Sequence, residues 1–219
     1  MTDLKKSAAK EAVAFIKNNK IIGLGDGSTI LHMVDFLKDE NRNDLILYTS
    51  SDTTKNKLEQ AGFTVNDFSN IYSLDIYFDG CDQFDKNLNA LKSGSGIHTT
   101  EKLLASMAKQ FILVGDASKY VDELDPKFPI VLEVITAATN FVQHKMKKLF
   151  PKCNMQTRTN KTRYGNILID VWFDAFPDLS KFNSIAKNIT GVLETSLFYN
   201  IAHKAILADE NGTRIIEKI

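Results

Sequence analysis

The sequence predicts an α/β protein, with a parallel sheet covered by helices on both faces and a second, smaller α+β domain. Three observations carry this. From residue 3 to about 116, short apolar runs alternate with stretches of helical periodicity, the order that a parallel sheet requires. The last third loses that alternation and mixes strands with two helices. The final residues, KAILADENGTRIIEKI, place Asn211-Gly212 between apolar runs, a hairpin signal.

The elements follow in order. Leu4, Ala8, Ala12, Phe15 and Ile16 recur at helical spacing, so residues 3–18 read as an amphipathic helix. IIGLG (21–25) is a short buried strand, GDGST a glycine turn, and Ile30, Leu31, Val34 and Leu37 open a second helix. LILYTS (45–50) is a strand, 51–61 a helix stopped by Gly62, and FTVNDF and SLDIYFD two more strands. A glycine-rich loop at 92–96 leads to a helix from about Thr99 to Lys109 and to the strand FILVGD (111–116). Beyond it PIVLEV, CNMQTR and GNILIDVWF read as strands, with helices at about 137–149 and 181–189, then GVLETSLF. The main domain is expected over 1–126, completed by 199–219 as the hairpin returns to its sheet. The α+β domain is expected over 127–198.

Composition narrows the function. The chain has 219 residues, 43% hydrophobic and 25% charged, which is globular rather than disordered. Such a length buries roughly 70% of its unfolded surface without a disulfide or metal staple. With 27 basic and 27 acidic residues the formal charge is zero, which gives no support for a nucleic-acid or anionic-membrane partner. Two cysteines, Cys81 and Cys153, are too few for a disulfide framework. The charged start, MTDLKKSAAKEAV, lacks the apolar core of a signal peptide, and no run approaches the length of a spanning helix. The expectation is a cytoplasmic enzyme or small-molecule binder.

Ligands of parallel sheets bind beyond the carboxyl ends of the strands, where GDGST, DGCDQFD and GDASK all fall. In GLGDGST the glycines permit a tight turn, and free N–H groups near Ser28 and Thr29 suit a phosphate or a carboxylate. Asp26 works against phosphate unless its side chain points away. The motif is neither Walker A nor GxGxxG, and alone it is equally a plain strand–helix turn. DGCDQFD sets Asp79, Asp82 and Asp85 within seven residues. Clustered carboxylates raise a pKa toward proton-transfer range or hold Mg²⁺, or they form a solvated loop. Asp85 reads as plain surface. Cys81, flanked by acids, reads as a packed side chain rather than a nucleophile.

KSGSG, opening with Lys92, permits close backbone approach to a ligand. Glu101 lies early in the next helix, where acids also serve as ordinary caps. Lys119 of GDASK is unremarkable alone. The four histidines show no metal-ligand spacing and read as structural, with His98, three residues before Glu101, the one to watch. Trp172 reads as core, and FVQHKMKKLF (141–150) as a basic helix with a solvated face.

The ordered set GLGDGST, DGCDQ, KSGSGIHTTEK, GDASK and FPIVLEV resembles ribose-5-phosphate isomerase, type A. That family carries G-x-G-T-G-S-T, D-G-A-D-E, K-G-G-G ahead of R-E-K, D-A-S-K and P-V-E-V at similar separations, and the likeness runs nearly end to end. The resemblance implies a Rossmann-like catalytic domain with a small α+β domain, assembled as a homodimer or homotetramer. It implies interconversion of D-ribose 5-phosphate and D-ribulose 5-phosphate in the non-oxidative pentose phosphate pathway, without metal or other cofactor. By position, Glu101 matches the general base, and Asp79, Asp82 and Lys92 the other catalytic residues. Asp26, Gly27, Ser28 and Thr29 match the phosphate and substrate loop. Gly80, Cys81, Ser93, Gly94 and Ser95 fall in substrate-contacting stretches, Lys119 matches a substrate-binding lysine, and Lys5 an additional phosphate contact. The chain departs from the family pattern at Asp26 (usually Thr), Gln83 (Glu), Ser93 and Ser95 (Gly), His98 (Leu) and Thr100 (Arg). Those departures leave a weakened sugar-phosphate sensor on the same scaffold as the alternative, and an acyl- or CoA-transferase using Glu101 as a more distant one.

Overall fold

The computed structural model describes residues 3–218. The chain opens with α1 (Leu4–Phe15), β1 (Ile21–Leu24), α2 (Ser28–Asp39), β2 (Ile46–Thr49), α3 (Asp52–Gln60), β3 (Val65–Asn66) and β4 (Leu74–Asp79). Then come β5 (Gln83–Phe84), β6 (Ala90–Leu91), α4 (His98–Met107), β7 (Ala108–Asp116), β8 (Ile130–Val134), α5 (Thr139–Leu149) and β9 (Asn154–Thr157). It closes with β10 (Ile167–Trp172), α6 (Leu179–Lys187), β11 (Val192–Thr195), β12 (Leu197–Phe198), β13 (Lys204–Asp209) and β14 (Gly212–Glu217).

Two compact units form. The first comprises Met1–Cys81, Thr100–Tyr120 and Asn200–Ile219; the second comprises Asp82–Thr99 and Val121–Tyr199. Residues 82–99, expected in the first domain, pack with the second unit because β6 pairs with both β5 and β12 there.

The first unit is a seven-stranded sheet in the order β14-β13-β7-β4-β1-β2-β3, all parallel except the β13–β14 hairpin. Apolar residues of α1 and α2, among them Ala8, Ala12, Met33 and Val34, pack on Ile22, Ile76 and Phe78 of the sheet. Strand alternation sends Tyr77 to the opposite face, where its ring centroid lies 5.5 Å from that of Phe111. From β1 the chain winds through β2 and β3 to one side, then returns to place β4 on the other. The topological switch point, where doubly wound sheets bind ligands, therefore falls between β1 and β4.

The second unit holds the antiparallel sheet β11-β8-β10-β9 and the short sheet β12-β6-β5. Its core gathers Val142 and Met146 of α5 and Phe182 and Ala186 of α6 against Leu132, Val134 and Ile169. Phe150 and Phe173 flank Phe182 with ring centroids 5.0 and 5.5 Å away.

Several expected elements differ in extent. FTVNDF gives only the two-residue β3, because Asp67 accepts the Ser69 N–H at 2.9 Å and bends Phe68–Asn70 into a 3-10 turn. The strand expected at 111 begins at Ala108, drawn out by pairing with Leu74. The hairpin loop is Glu210-Asn211; Gly212, at φ 129°, already pairs with Asp209. Trp172, expected in the core, is 37% exposed at the end of β10.

Candidate active site

In the first unit the parallel strands end together, so the segments after β1, β2, β4 and β7 share one rim. On that rim β1 and β4 fit by a glycine-for-side-chain exchange. Gly23 pairs with Tyr77, and a Cβ at 23 would lie 2.6 Å from the Tyr77 ring. One turn of the alternation later, Gly25 makes room for Asp79. The first two glycines of GLGDG thus admit a phenol and a carboxylate. Gly27 alone takes a positive φ, 106°, as the N-cap of α2.

Asp79 is fully buried and accepts hydrogen bonds from the Gly80 N–H at 2.8 Å, the Asp26 N–H at 3.0 Å and the Tyr77 hydroxyl at 2.8 Å. These donors offset the cost of burying a carboxylate. Tyr77 is itself buried. Burial above all, then the charges of Asp79 and Glu101, pushes its phenol well above the ordinary tyrosine range, so the hydroxyl stays a donor. Glu101, only 1% exposed in the first turn of α4, is near enough for its charge to act on the phenol that Asp79 binds.

The Asp26 side chain is held by α3 rather than by α2. Its carboxylate accepts from the Ser51 hydroxyl at 2.6 Å, and Ser51 also caps α3. Thr54 fixes the same turn by donating to the Gly25 carbonyl at 2.7 Å. The side chain is therefore tied to α3, leaving Gly27, Ser28 and Thr29 to present the start of α2. After β7, burial raises the Asp116 carboxyl, but the Ser118 hydroxyl and N–H and the charges of Lys119 and Lys5 bring it below the usual range. The two lysines singled out in the sequence thus share one carboxylate neighbour.

The second unit holds the remaining residues. Asp82 accepts the Ser93 N–H, and its own N–H bonds Leu91 at 2.8 Å. The Lys92 N–H reaches the Ser196 carbonyl at 3.0 Å, and the Lys92 ammonium lies 5.8 Å from the Phe198 ring centroid. The Ser93 hydroxyl donates to Pro129 at 2.6 Å. Gly94 and Ser95 are exposed.

Asp85, expected at the surface, is 6% exposed and accepts the Asn87 and Asn89 N–H groups, each at 2.9 Å, so it builds a turn. The three acids of DGCDQFD each have their own donors. Among the described residues no group of three or more His, Cys, Asp or Glu is arranged to hold a metal ion. His98 is buried in α4, its Nε2 3.4 Å from the Glu194 carbonyl oxygen. Cys81 is half-buried and in no disulfide. Sequence reasoning passed over Tyr77, Ser51 and Arg158, whose surroundings along the chain carry no signal of a site.

The family model for ribose 5-phosphate isomerase A (phosphoriboisomerase A) matches residues 46–212. Ribose-5-phosphate isomerase A of Lactobacillus helveticus is 34% identical over 217 residues, covering 96% of this chain and 94% of that protein. The solved structure of ribose 5 phosphate isomerase A from Neisseria gonorrhoeae is 30% identical, with a TM-score of 0.91 over 99% of this chain and 97% of that one. A D-ribose-5-phosphate isomerase solved in complex with phospho-erythronic acid is 28% identical, with a TM-score of 0.89 over 99% of this chain and 100% of that one. With matches of this length in sequence and in fold, and with its motifs in the same order, the chain belongs to the ribose 5-phosphate isomerase A family.

Proposed function

We propose that Glu101 is the general base of an aldose–ketose isomerase acting on D-ribose 5-phosphate and D-ribulose 5-phosphate. The observation that carries this is the buried Glu101, whose charge acts on Tyr77, the phenol on β4 that also binds Asp79 at the sheet's switch point. One base on one face of the sugar serves both carbons. Glu101 takes the proton from C2 of the open-chain aldose, leaving a cis-enediolate, and returns it to C1. Lys92 and the amides of 94–96 stabilise the enediolate oxygens, where one such donor typically contributes about 3–4 kcal/mol.

The two aspartates divide the remaining work. Asp82, partly exposed, exchanges hydroxyl protons with the substrate and assists ring opening, while the buried Asp79 holds the 25–27 turn and the Tyr77 hydroxyl. Ser28 and Thr29 with Lys119 and Lys5 bind the phosphate, and this remote binding places the reacting carbons. The Asp26–Ser51 bond supports the reading, because it ties the Asp26 carboxylate to the start of α3. Gly80, Cys81, Ser93, Gly94 and Ser95 line the sugar.

Among the described residues no helix is long and apolar enough to cross a membrane. A cytoplasmic homodimer or homotetramer is the assembly that goes with this reading, checked by light scattering and by cell fractionation. A coupled assay with ribose 5-phosphate, repeated with EDTA, tests the activity. The expected result is turnover indifferent to the chelator, with solvent deuterium entering the product. Binding without turnover would overturn the isomerase in favour of a sensor, and complete internal hydride transfer would remove the enediolate.

A further inference from the structure

One side chain grips two successive carbonyls of the 92–96 loop. The Arg158 Nη1 donates to the Gly94 carbonyl at 2.9 Å and Nη2 to the Ser93 carbonyl, while Nε donates to Asp170 at 2.8 Å. The described peptide bonds are trans. In a trans peptide the carbonyl of one residue and the N–H of the next point in opposite directions. Holding the Ser93 and Gly94 carbonyls on one guanidinium therefore turns the N–H groups of Gly94 and Ser95 together to the other side. Among the described residues neither N–H donates to another group of the protein.

The rest of the loop is fixed in place. Its upstream end is tied by the Lys92 and Ser93 N–H groups, to Ser196 and Asp82. Downstream, Gly96 takes φ 75° and packs so tightly that a Cβ there would lie 2.5 Å from Leu168 Cδ1. Only a planar fork with a permanent charge spans two carbonyls and a carboxylate at once; a lysine ammonium offers one point.

We propose that Arg158 is a positioning residue for the isomerase reaction: it holds the Ser93 and Gly94 carbonyls so that the N–H groups of Gly94 and Ser95 receive the anionic oxygen of the enediolate. This rests on the isomerase reading above and adds a residue that touches no substrate. Paired donors aimed at a developing oxyanion are the arrangement that accelerates such a step.

The test is steady-state kinetics with ribose 5-phosphate on three variants. Arg158→Lys is expected to lower kcat about 10- to 100-fold, less than the roughly 10²–10³-fold that outright loss of an oxyanion donor costs because the amides stay but lose their alignment, with KM within about threefold. Asp170→Asn keeps the fork on the carbonyls and is expected to stay within about threefold of the parent in kcat. Arg158→Ala is expected to recover part of its lost kcat when free guanidinium is added. A parent-like kcat in Arg158→Lys, a loss confined to KM, an equal loss in Asp170→Asn, or no recovery with guanidinium would each overturn the proposal. The amide resonances of Gly94 and Ser95 give a readout independent of turnover. They are expected to move in Arg158→Lys more than in Asp170→Asn, and unmoved resonances also overturn it. A parent protein inactive on ribose 5-phosphate would sink the isomerase reading instead, and the resonances would still judge the loop.

Discussion

The carboxylate of Asp79 lies so close to the backbone of Gly25 that a Cβ at position 25 would sit 2.0 Å from its Cγ. No rotamer change at Gly25 relieves this, since the Cβ position is set by the backbone. Gly25→Ala is expected to displace Asp79 from the Asp26 and Gly80 N–H groups and to cost about 1–3 kcal/mol, the usual range for overpacking. Urea unfolding and kcat measured together check it: both should fall. An unchanged unfolding midpoint would mean that β1 and β4 part easily.

Tyr77→Phe removes a donor to Asp79 without changing packing volume. Hydrogen bonds to charged groups contribute about 1.5–3 kcal/mol, so that loss of stability is expected at neutral pH. The alkaline behaviour carries a sign. The Tyr77 phenol titrates well above its unfolded value of 10.0. The folded state therefore keeps a proton that the unfolded state gives up above pH 10. Stability is full below that pH and falls above it by up to about 1.4 kcal/mol per pH unit from this group. The Phe variant should show a shallower alkaline decline in thermal melts between pH 9.5 and about 11.5.

Glu101→Gln keeps the shape of the buried side chain and removes its basicity. A general base contributes about 10²–10⁴ in rate, so kcat should drop by that order while calorimetry still finds ribose 5-phosphate binding. Near-normal turnover would take Glu101 out of the base role.

Asp75 gives a control away from the rim. The Lys109 ammonium, donating at 2.8 Å, and then the Ile21 N–H hold its carboxyl at about 2. A depressed folded pKa contributes stability above the unfolded value, and the contribution is lost as pH falls from about 4 to about 2. Because Lys109 is largely exposed, solvent screening limits the contribution to about 1–2 kcal/mol. Asp75→Asn should therefore be less stable at pH 7 by that amount and equal to the parent near pH 2, with kcat unchanged.

Much of the first unit was legible because its strands are apolar runs between helices of clear periodicity. Asn211-Gly212 marked the hairpin to within one residue. The rim motifs were legible as loops but not as contacts. Gly23 and Gly25 looked like turn residues, whereas they receive Tyr77 and Asp79, whose partnership depends on strand register. Asp85 looked like surface because its turn closes on Asn87 and Asn89 only after folding. Residues 82–99 follow β4 directly along the chain, while their pairing partner, β12, lies about a hundred residues on. Arg158 carries no local signal, since its three acceptors come from residues 93, 94 and 170.

The placement of β13 beside β7 sets an order of completion during synthesis. All of Val121–Tyr199 leaves the ribosome before the strand that covers the edge of β7. The unit that begins first is thus finished last, and β7 waits as an open edge, the kind of surface on which nascent chains associate. Chains lacking 204–217 would present that edge permanently.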